Sequence, residues 1–353
     1  PSYARSWWID KKLFQLERRA IFSKQWLYAT HASRFSKPGD YRTFDIAGFS
    51  IIVILGKDKV LRAFHNVCRH RAYAVTKKEC GSSIVLGCRY HGWSYDTKGK
   101  LTKAPEFDKV PEFDKQSNGL WEVATSVLDG MVFINLQAGS VVDFDFTTST
   151  RRLIRDLKAR TFRTEWKIEV KSNWKLVVEL LQDKPIVEAE LRWYQSVLAW
   201  LTPHDETEII SEGAFIKRLS SKLIMTIRVL PQTGSNSVVE CVVYEAHSWR
   251  KSYHETAIEG YERAMRSEIQ RIESKQVELL KGNYISTNQD LFSDMIQKHL
   301  AAERSLGKEI HPAAQKGALT NEGQDDDEMC KEIDLEHSSI SACTSSAMGD
   351  LDW

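Results

Sequence analysis

The sequence predicts an α+β protein in which a small all-β domain precedes a mixed α+β domain. Between residues 41 and 136, short β-branched and aromatic runs alternate with Gly- and Lys-rich breaks, which is typical of a small β domain. Further along the chain, helical periodicity alternates with strand-like runs, which favours a mixed fold. With 353 residues, 42% of them apolar, the chain is long enough to bury the cores of two domains.

The individual elements follow from local spacing. Apolar residues at helical spacing predict a short helix within residues 11–28, before a turn signal at 37–40. The predicted strands of the β domain are 49–55, 84–86 and 131–136. In the second domain, the predicted elements are a helix at 151–160, strands at 166–170, 224–230 and 238–244, and a long amphipathic helix at 255–281.

These elements divide the chain into four predicted segments. They are a helical N-terminal segment at 1–37, the β domain at 38–145, the mixed domain at 146–320 and an acidic tail at 321–353. The tail contains ten acidic residues and one Lys. This composition indicates a solvated, poorly ordered segment.

Composition excludes several classes of protein. Lys and Arg total 49 against 48 Asp and Glu, so the net charge of +1 provides no global field that would attract nucleic acid. No run of about 18 apolar residues is long enough to span a bilayer, and the start of the chain lacks the pattern of a secretory signal. Six cysteines are too few for a disulfide scaffold in a chain of this length. We therefore expect a soluble, cytoplasmic protein.

The motif that carries chemistry is a pair of Cys–His loops. Cys68-Arg69-His70 is followed, after seventeen residues, by Cys88-Arg89-Tyr90-His91. Two thiolates and two imidazoles are the ligands of a [2Fe–2S] cluster in which His replaces Cys on one iron, an arrangement that suits electron transfer. A Cys2His2 zinc site is the alternative, although such sites usually pair the two cysteines in one loop and the two histidines in another. Cys80, between the loops, matches neither pattern.

Both motifs resemble the Rieske domain of Rieske-type non-haem iron oxygenases, the aromatic-ring-hydroxylating α-subunit family. The resemblance rests on residues 66–71 (Asn-Val-Cys-Arg-His-Arg) and 87–93 (Gly-Cys-Arg-Tyr-His-Gly-Trp). It implies that four side chains are the cluster ligands: Cys68, His70, Cys88 and His91. It also implies that Trp93 packs beside the cluster and that backbone N–H groups of both loops tune the sulfur atoms.

Weaker similarity continues outside this domain. Trp26, the run at 130–135 (Gly-Met-Val-Phe-Ile-Asn) and the segment at 173–179 (Asn-Trp-Lys-Leu-Val-Val-Glu) resemble landmarks of choline- and carnitine-oxidising α-subunits. This resemblance implies a helix-grip second domain with a mononuclear Fe(II), held by two His and one carboxylate, at which O2 and substrate meet. It further implies an NAD(P)H-dependent reductase as electron donor, a homotrimer, and monooxygenation of a small molecule such as a quaternary ammonium compound.

The predicted iron site departs from the family pattern. Asp183 lies where the family has its bridging acid, which makes it our candidate catalytic residue, and Asp290 matches the carboxylate ligand. However, no His occurs between Trp174 and His204, where the family has two. Two explanations remain open: the chain has lost its mononuclear iron, or residues are missing from the sequence between Asp183 and Lys184.

These explanations lead to two functional hypotheses. The leading one is the terminal oxygenase component, and the alternative is an electron-transfer or redox-sensing Rieske protein whose second domain has lost its iron. Asp290 also has an alternative role, as the N-cap of the following helix. Three aromatic residues are candidates for a cage around a quaternary nitrogen, although their spacing also fits a packed core: Trp193, Tyr194 and Trp200.

Overall fold

The computed structural model describes residues 5–107, 110–137, 141, 144, 146–183, 207–246, 252–286 and 289–312. Within these residues the chain forms three antiparallel sheets, of seven, three and five strands. Helices precede and follow the five-stranded sheet. The predicted α+β class, with an all-β domain before a mixed one, is confirmed.

The N-terminal segment contains two short helices, a π-helical turn and a strand: α1 (Ser6–Ile9), α2 (Lys11–Glu17), the turn Arg18–Phe22, and β1 (Leu27–His31). The Asp10 side chain caps α2 by accepting a hydrogen bond from the Leu13 N–H at 2.8 Å. The helix predicted within residues 11–28 therefore ends earlier than its apolar spacing indicated. Its last apolar residues belong to β1, because they pair with a distant strand instead of continuing the helix.

Nine further strands complete the two sheets of the β domain: β2 (Asp40–Ile46), β3 (Phe49–Leu55), β4 (Leu61–His65), β5 (Cys80–Ser82), β6 (Val85–Gly87), β7 (Ser94–Asp96), β8 (Leu101–Lys103), β9 (Glu122–Leu128) and β10 (Met131–Asn135). The larger sheet has the order β1-β10-β9-β4-β3-β2-β5, and the smaller has β6-β7-β8. β1, in the segment predicted as helical, is thus an edge strand of the larger sheet. The first Cys–His loop follows β4, and the second connects β6 to β7.

The second domain is a five-stranded sheet with helices before, within and after it: α3 (Thr148–Lys158), β11 (Arg160–Val170), α4 (Trp174–Asp183), β12 (Thr207–Ser211), β13 (Ala214–Arg218), β14 (Leu223–Pro231), β15 (Ser237–Ala246), α5 (Ser252–Leu280) and α6 (Gln289–Leu306). The strand order is β11-β15-β14-β13-β12. Of the helices that the structure describes, none is both long and apolar enough to cross a membrane.

One hydrophobic core extends through both domains. Ile51 and Val53 of β3 and Ile227 of β14 are fully buried and belong to the same cluster of side chains. The buried face of α5 repeats at helical spacing: Ile258, Met265, Ile269 and Ile272. Because burying one aliphatic side chain contributes on the order of 2 kcal/mol, this shared core holds the two domains together.

A buried polar network attaches the N-terminal helices to α4. Lys175 forms an ion pair with Glu17, in which the two side chains are 2% and 1% exposed. Trp174 Nε1 donates to the other oxygen of Glu17 at 2.8 Å, and the Lys175 ammonium lies 4.6 Å from the centre of the Trp7 ring. Removing one partner of a buried ion pair costs about 3–5 kcal/mol. The network therefore fixes the position of α4, whose last residue is Asp183.

Candidate metal centre

The first Cys–His loop is a tight hydrogen-bonded turn. The Cys68 N–H donates to the Tyr73 carbonyl oxygen at 2.7 Å, and the Cys68 carbonyl oxygen accepts from the Ala72 N–H at 3.0 Å. Ala72 has a φ of 56°, in the left-handed region that side-chain-bearing residues adopt at a cost. The turn leaves Cys68 buried and His70 partly exposed.

The second loop repeats the same backbone turn. The Cys88 N–H donates to the Trp93 carbonyl oxygen at 2.8 Å, and the Cys88 carbonyl oxygen accepts from the Gly92 N–H at 3.0 Å. Gly92 has a φ of 72°, which glycine adopts without steric cost. Cys88 is buried as well. The two loops thus share one hydrogen-bonding pattern, with Gly92 where the first loop has Ala72.

Asn66 attaches the first loop to the larger sheet. Its side-chain nitrogen donates to the Thr76 carbonyl oxygen at 2.8 Å and to Ser50 Oγ at 3.2 Å. Its side-chain oxygen accepts from the Thr76 N–H at 3.0 Å. Asn66 belongs to the sequence motif, but this bracing of both ends of the loop was not predicted from it.

The structure brings the four predicted ligands together, thiol beside thiol and imidazole beside imidazole. The side chains of Cys68 and Cys88 are hydrogen-bonded to each other. The ring centres of His70 and His91 are 4.6 Å apart, with 76° between the ring planes. This pairing fits a [2Fe–2S] cluster, because one iron takes both thiolates and the other takes both imidazoles. Their role as ligands stays a prediction.

Hydrogen bonds favour the thiolate form at one of the two sulfurs. The Cys88 sulfur accepts hydrogen bonds from the Cys68 thiol and from the backbone N–H groups of Tyr90 and His91. Together these hydrogen bonds lower the pKa of Cys88 to about 6. The same contact with Cys88, together with burial, raises the pKa of Cys68. Burial is the main cause that lowers the pKa of His70 to about 4. Thiolate and neutral imidazole are the forms that bind metals.

Aromatic rings cover the imidazole side of the site. Trp93 is buried and stacks on His70, with 5.1 Å between ring centres and 12° between planes. Phe107 meets both His70 and Trp93 edge-on, at 5.3 Å in each case. Phe113 lies 5.6 Å from Trp93. These contacts place Trp93 beside His70, and the phenylalanine rings shield it from water; its position next to a cluster stays a prediction.

Tyr95 is a site residue that the motifs did not predict. Its hydroxyl lies 3.2 Å from Cys68 Sγ and accepts from the Arg69 N–H at 3.0 Å. Burial raises the pKa of Tyr95, so the hydroxyl keeps its proton and can donate it to the sulfur. A tyrosine two residues after Trp93 was visible in the sequence, but its contact with the other loop depends on the packing of the two sheets.

The grouping of the four loop side chains, thiol with thiol and imidazole with imidazole, bears on the zinc alternative. A zinc ion would need all four loop side chains around a single point. A [2Fe–2S] cluster distributes them over two irons, with two protein ligands on each. The arrangement therefore fits the cluster better than zinc.

The predicted residues of the mononuclear iron site are described only by their backbone. Asp183 is the last residue of α4, and Asp290 lies in the first turn of α6, which begins at Gln289. Asp290 therefore follows the start of the helix, whereas the sequence pattern placed it before the helix. Residues 184–206, with the aromatic candidates Trp193, Tyr194 and Trp200, and the acidic tail at 321–353 lie outside the described residues.

Comparison with known proteins identifies the β domain. Residues 25–114 match the family model of the Rieske [2Fe-2S] domain. The carnitine monooxygenase oxygenase subunit of Acinetobacter pittii is 33% identical over 186 residues, which are 50% of this chain and 49% of that protein. The glycine betaine monooxygenase oxygenase subunit of Chromohalobacter salexigens is 33% identical over 180 residues, which are 50% of this chain and 40% of that protein.

A solved structure shows the same fold over a larger part of the chain. It is a quaternary ammonium Rieske monooxygenase whose structure gave insights into carnitine oxidation and inter-subunit electron transfer. The two chains are 22% identical and align with a TM-score of 0.66, over 80% of this chain and 87% of that chain. In sequence, this chain spans about half the length of the relatives it matches. The chain thus contains a Rieske [2Fe–2S] domain, is homologous over half its length to carnitine and glycine betaine monooxygenase oxygenase subunits, and has the fold of Rieske oxygenases.

Proposed function

We propose that this chain is the oxygenase component of a Rieske monooxygenase, which uses O2 and electrons from an NAD(P)H-dependent reductase to oxidise a small molecule. The observation that carries the proposal is the convergence of two thiols and two imidazoles in two matched loops. This arrangement lies within the 25–114 segment that matches the Rieske domain.

In this proposal, Cys68 and Cys88 would hold one iron of the cluster, and His70 and His91 would hold the other. When bound, such a cluster accepts and releases one electron at a time. The chain contributes the backbone N–H groups that donate to the sulfurs, the Tyr95 hydroxyl, and the rings of Trp93 and Phe107 that pack against His70. These groups fix the ligand positions and set the polarity around them.

The proposed substrate class is a quaternary ammonium compound. It follows from the relatives, whose names specify carnitine and glycine betaine, and from the solved monooxygenase of the same fold. The same solved protein is described with inter-subunit electron transfer, which supports a homotrimer as the proposed assembly. A ring of identical subunits forms when such head-to-tail contacts close.

Oxygenase subunits of this family use a mononuclear iron besides the cluster. We propose Asp290 as its carboxylate ligand and Asp183 as the acid that bridges it to the cluster of a neighbouring subunit. Among the described side chains there is no facial triad that would hold this iron. The buried Lys175–Glu17 network fixes α4, and with it the backbone position of Asp183.

A second candidate function is electron transfer or redox sensing by a Rieske protein without the mononuclear iron. One observation favours it: no His occurs between Trp174 and His204, where the resemblance implies two iron ligands. In this case the second domain would serve as a binding module, and the cluster loops would keep their role.

The experiment that separates the two candidates is a count of iron and acid-labile sulfide in the full chain after anaerobic reconstitution. For the oxygenase we expect three irons and two sulfides per chain, and a cluster potential within roughly −150 to +300 mV. Asp290→Ala should reduce the count to two irons and abolish O2-dependent loss of carnitine or glycine betaine with reductase and NADH. Asp294→Ala, an exposed acid one turn further along α6, is the matched control.

Two irons in both the parent chain and the Asp290→Ala variant would contradict the oxygenase proposal and support the electron-transfer candidate. A chain without acid-labile sulfide, or with one tightly bound zinc, would contradict both.

A further inference from the structure

A cavity of about 440 Å³ lies between the two domains. Its lining residues do not include the four predicted cluster ligands. Its wall on the β-domain side includes Arg42, Phe44 and Lys77, and its wall on the other side includes Glu165 and Arg228. The volume is within the range of small-molecule sites. Because both domains line the cavity, any molecule bound in it would contact both.

Positive charge exceeds negative charge in the cavity wall. Five cationic side chains and four carboxylates line it. One carboxylate, Glu165, is shared by two guanidinium groups, with Arg34 at 2.6 Å and Arg42 at 3.1 Å. Another, Asp45, accepts the Gly48 N–H of its own turn at 2.8 Å. The remaining two carboxylates, Glu79 and Glu240, form ion pairs with Lys167 and Arg228 respectively.

Among the residues that the structure describes, no carboxylate lies within ion-pair distance of Lys77. The other four cations of this cavity wall each have one. It is exposed and belongs to the segment that follows the first Cys–His loop. A cavity with low-dielectric walls and an excess cation concentrates anions from solution.

Arg228 provides a second, buried donor. The residue is 3% exposed, its guanidinium lies 4.8 Å from the centre of the Phe44 ring, and its Nε donates to Glu240 at 2.8 Å. Its Nη1 has no hydrogen-bond partner within the described residues. Buried polar groups in native proteins nearly always have a partner, from the protein, from water or from a ligand. A guanidinium edge matches the oxygens of a carboxylate or phosphate.

We propose that this interdomain cavity binds a small oxyanion, a carboxylate or a phosphate, through Arg228, Arg42 and Lys77. The site is separate from the predicted cluster and iron ligands, so it does not depend on the function proposed above. An oxyanion in the cavity bridges the two domains and stabilises their relative position by ligand linkage.

The test is isothermal titration of the full, cluster-loaded chain with inorganic phosphate and with succinate, against chloride at the same ionic strength. We expect saturable binding of at least one oxyanion and a higher thermal midpoint in its presence. Binding of phosphate alone identifies phosphate as the ligand chemistry, and binding of succinate alone identifies a carboxylate. Binding of both shows that the oxyanion group is the feature recognised.

Two variants locate the site. Lys77→Gln should weaken binding about fivefold, whereas Lys57→Gln, an exposed control in the β3–β4 turn, should leave it unchanged. The double variant Arg228→Met/Glu240→Gln removes both buried charges together, so that neither is left unpaired, and should abolish binding. Absence of heat beyond the chloride titration, or equal affinity in the Lys77→Gln and Lys57→Gln variants, would overturn the proposal.

Discussion

The Cys68 and Cys88 loops adopt the same hydrogen-bonded turn, yet the surroundings of their sulfur atoms differ. The Cys88 sulfur receives two backbone N–H groups of its own loop, whereas the Cys68 sulfur receives one and also contacts the hydroxyl of Tyr95, which lies beyond the other loop. The turns also differ at the left-handed position, which is Ala72 in one and Gly92 in the other. Local backbone geometry therefore places both thiols alike, while tertiary packing makes them chemically different.

The largest expected effect concerns the feature that the two loops share, a buried cysteine at the start of each turn. Cys68→Ser and Cys88→Ser should each eliminate the visible absorption and acid-labile sulfide, and should lower the thermal midpoint of the β domain, because cluster binding is coupled to folding. Cys80→Ser changes an exposed thiol between the loops and should leave all three measurements unchanged. Full colour and sulfide in either loop variant would show that the two thiols are not equivalent ligands.

The next effect concerns the left-handed position. Gly92→Ala should destabilise the cluster-loaded chain by about 1–2 kcal/mol, because an L-residue is strained at this φ. The new Cβ would lie 3.4 Å from Pro105, an ordinary contact, so crowding adds little. Ala72→Gly should relieve strain in the first loop, but the gain should stay below about 1 kcal/mol because glycine increases the entropy of the unfolded chain.

Thermal midpoints of the cluster-loaded variants measure both changes in the turn. Gly87→Ala is the control, because Gly87 has no positive φ and a Cβ there would be 3.9 Å from its nearest neighbour, Ser94. If Gly92→Ala and Gly87→Ala have the same thermal midpoint, the stability of the second loop does not depend on the left-handed conformation at residue 92.

The smallest effect tests how the loops differ. Tyr95→Phe removes a hydroxyl that donates to Cys68 Sγ and thereby stabilises the more negative, reduced cluster. One hydrogen bond contributes about 1 kcal/mol, so the reduction potential should fall by about 40 mV. Tyr41→Phe, which removes a hydroxyl that lies 3.4 Å from Thr76 Oγ1, is the control in protein-film voltammetry. An unchanged potential in Tyr95→Phe would mean that the two sulfurs are electronically equivalent.

The two loops also show what a sequence can predict. Metal ligands that lie two or three residues apart are encoded in the spacing of a short segment, so the Cys68 and Cys88 motifs predicted both a cluster site and the Rieske domain that residues 25–114 match. Tyr95 could not be assigned, because its contact depends on how the three-stranded sheet packs against the first loop. Asn66 was visible within the motif, but its hydrogen bonds to Thr76 require the folded loop.

The fold shows the same difference between features that a short segment encodes and features that depend on tertiary packing. The strand Phe49–Leu55 was predicted because its apolar run is continuous and bounded by turn residues. The strand Leu27–His31 was missed, since all five residues are buried and give no alternation, while the helical spacing before it continues into it. The mononuclear iron site could not be completed from the sequence, because its expected ligands come from distant segments and Asp290, matched by its sequence context alone, lies within α6 and not before it.

The ion pair between Glu17 and Lys175 has a consequence for the synthesis of the chain. The two residues are 158 positions apart, so at about 5–20 residues per second the ribosome adds Lys175 roughly 8–30 s after Glu17. During this interval the indole of Trp8, which is 3% exposed in the folded protein, has no α4 to pack against. The helices α1 and α2 can therefore dock on α4 only after residues 174–183 have been synthesised.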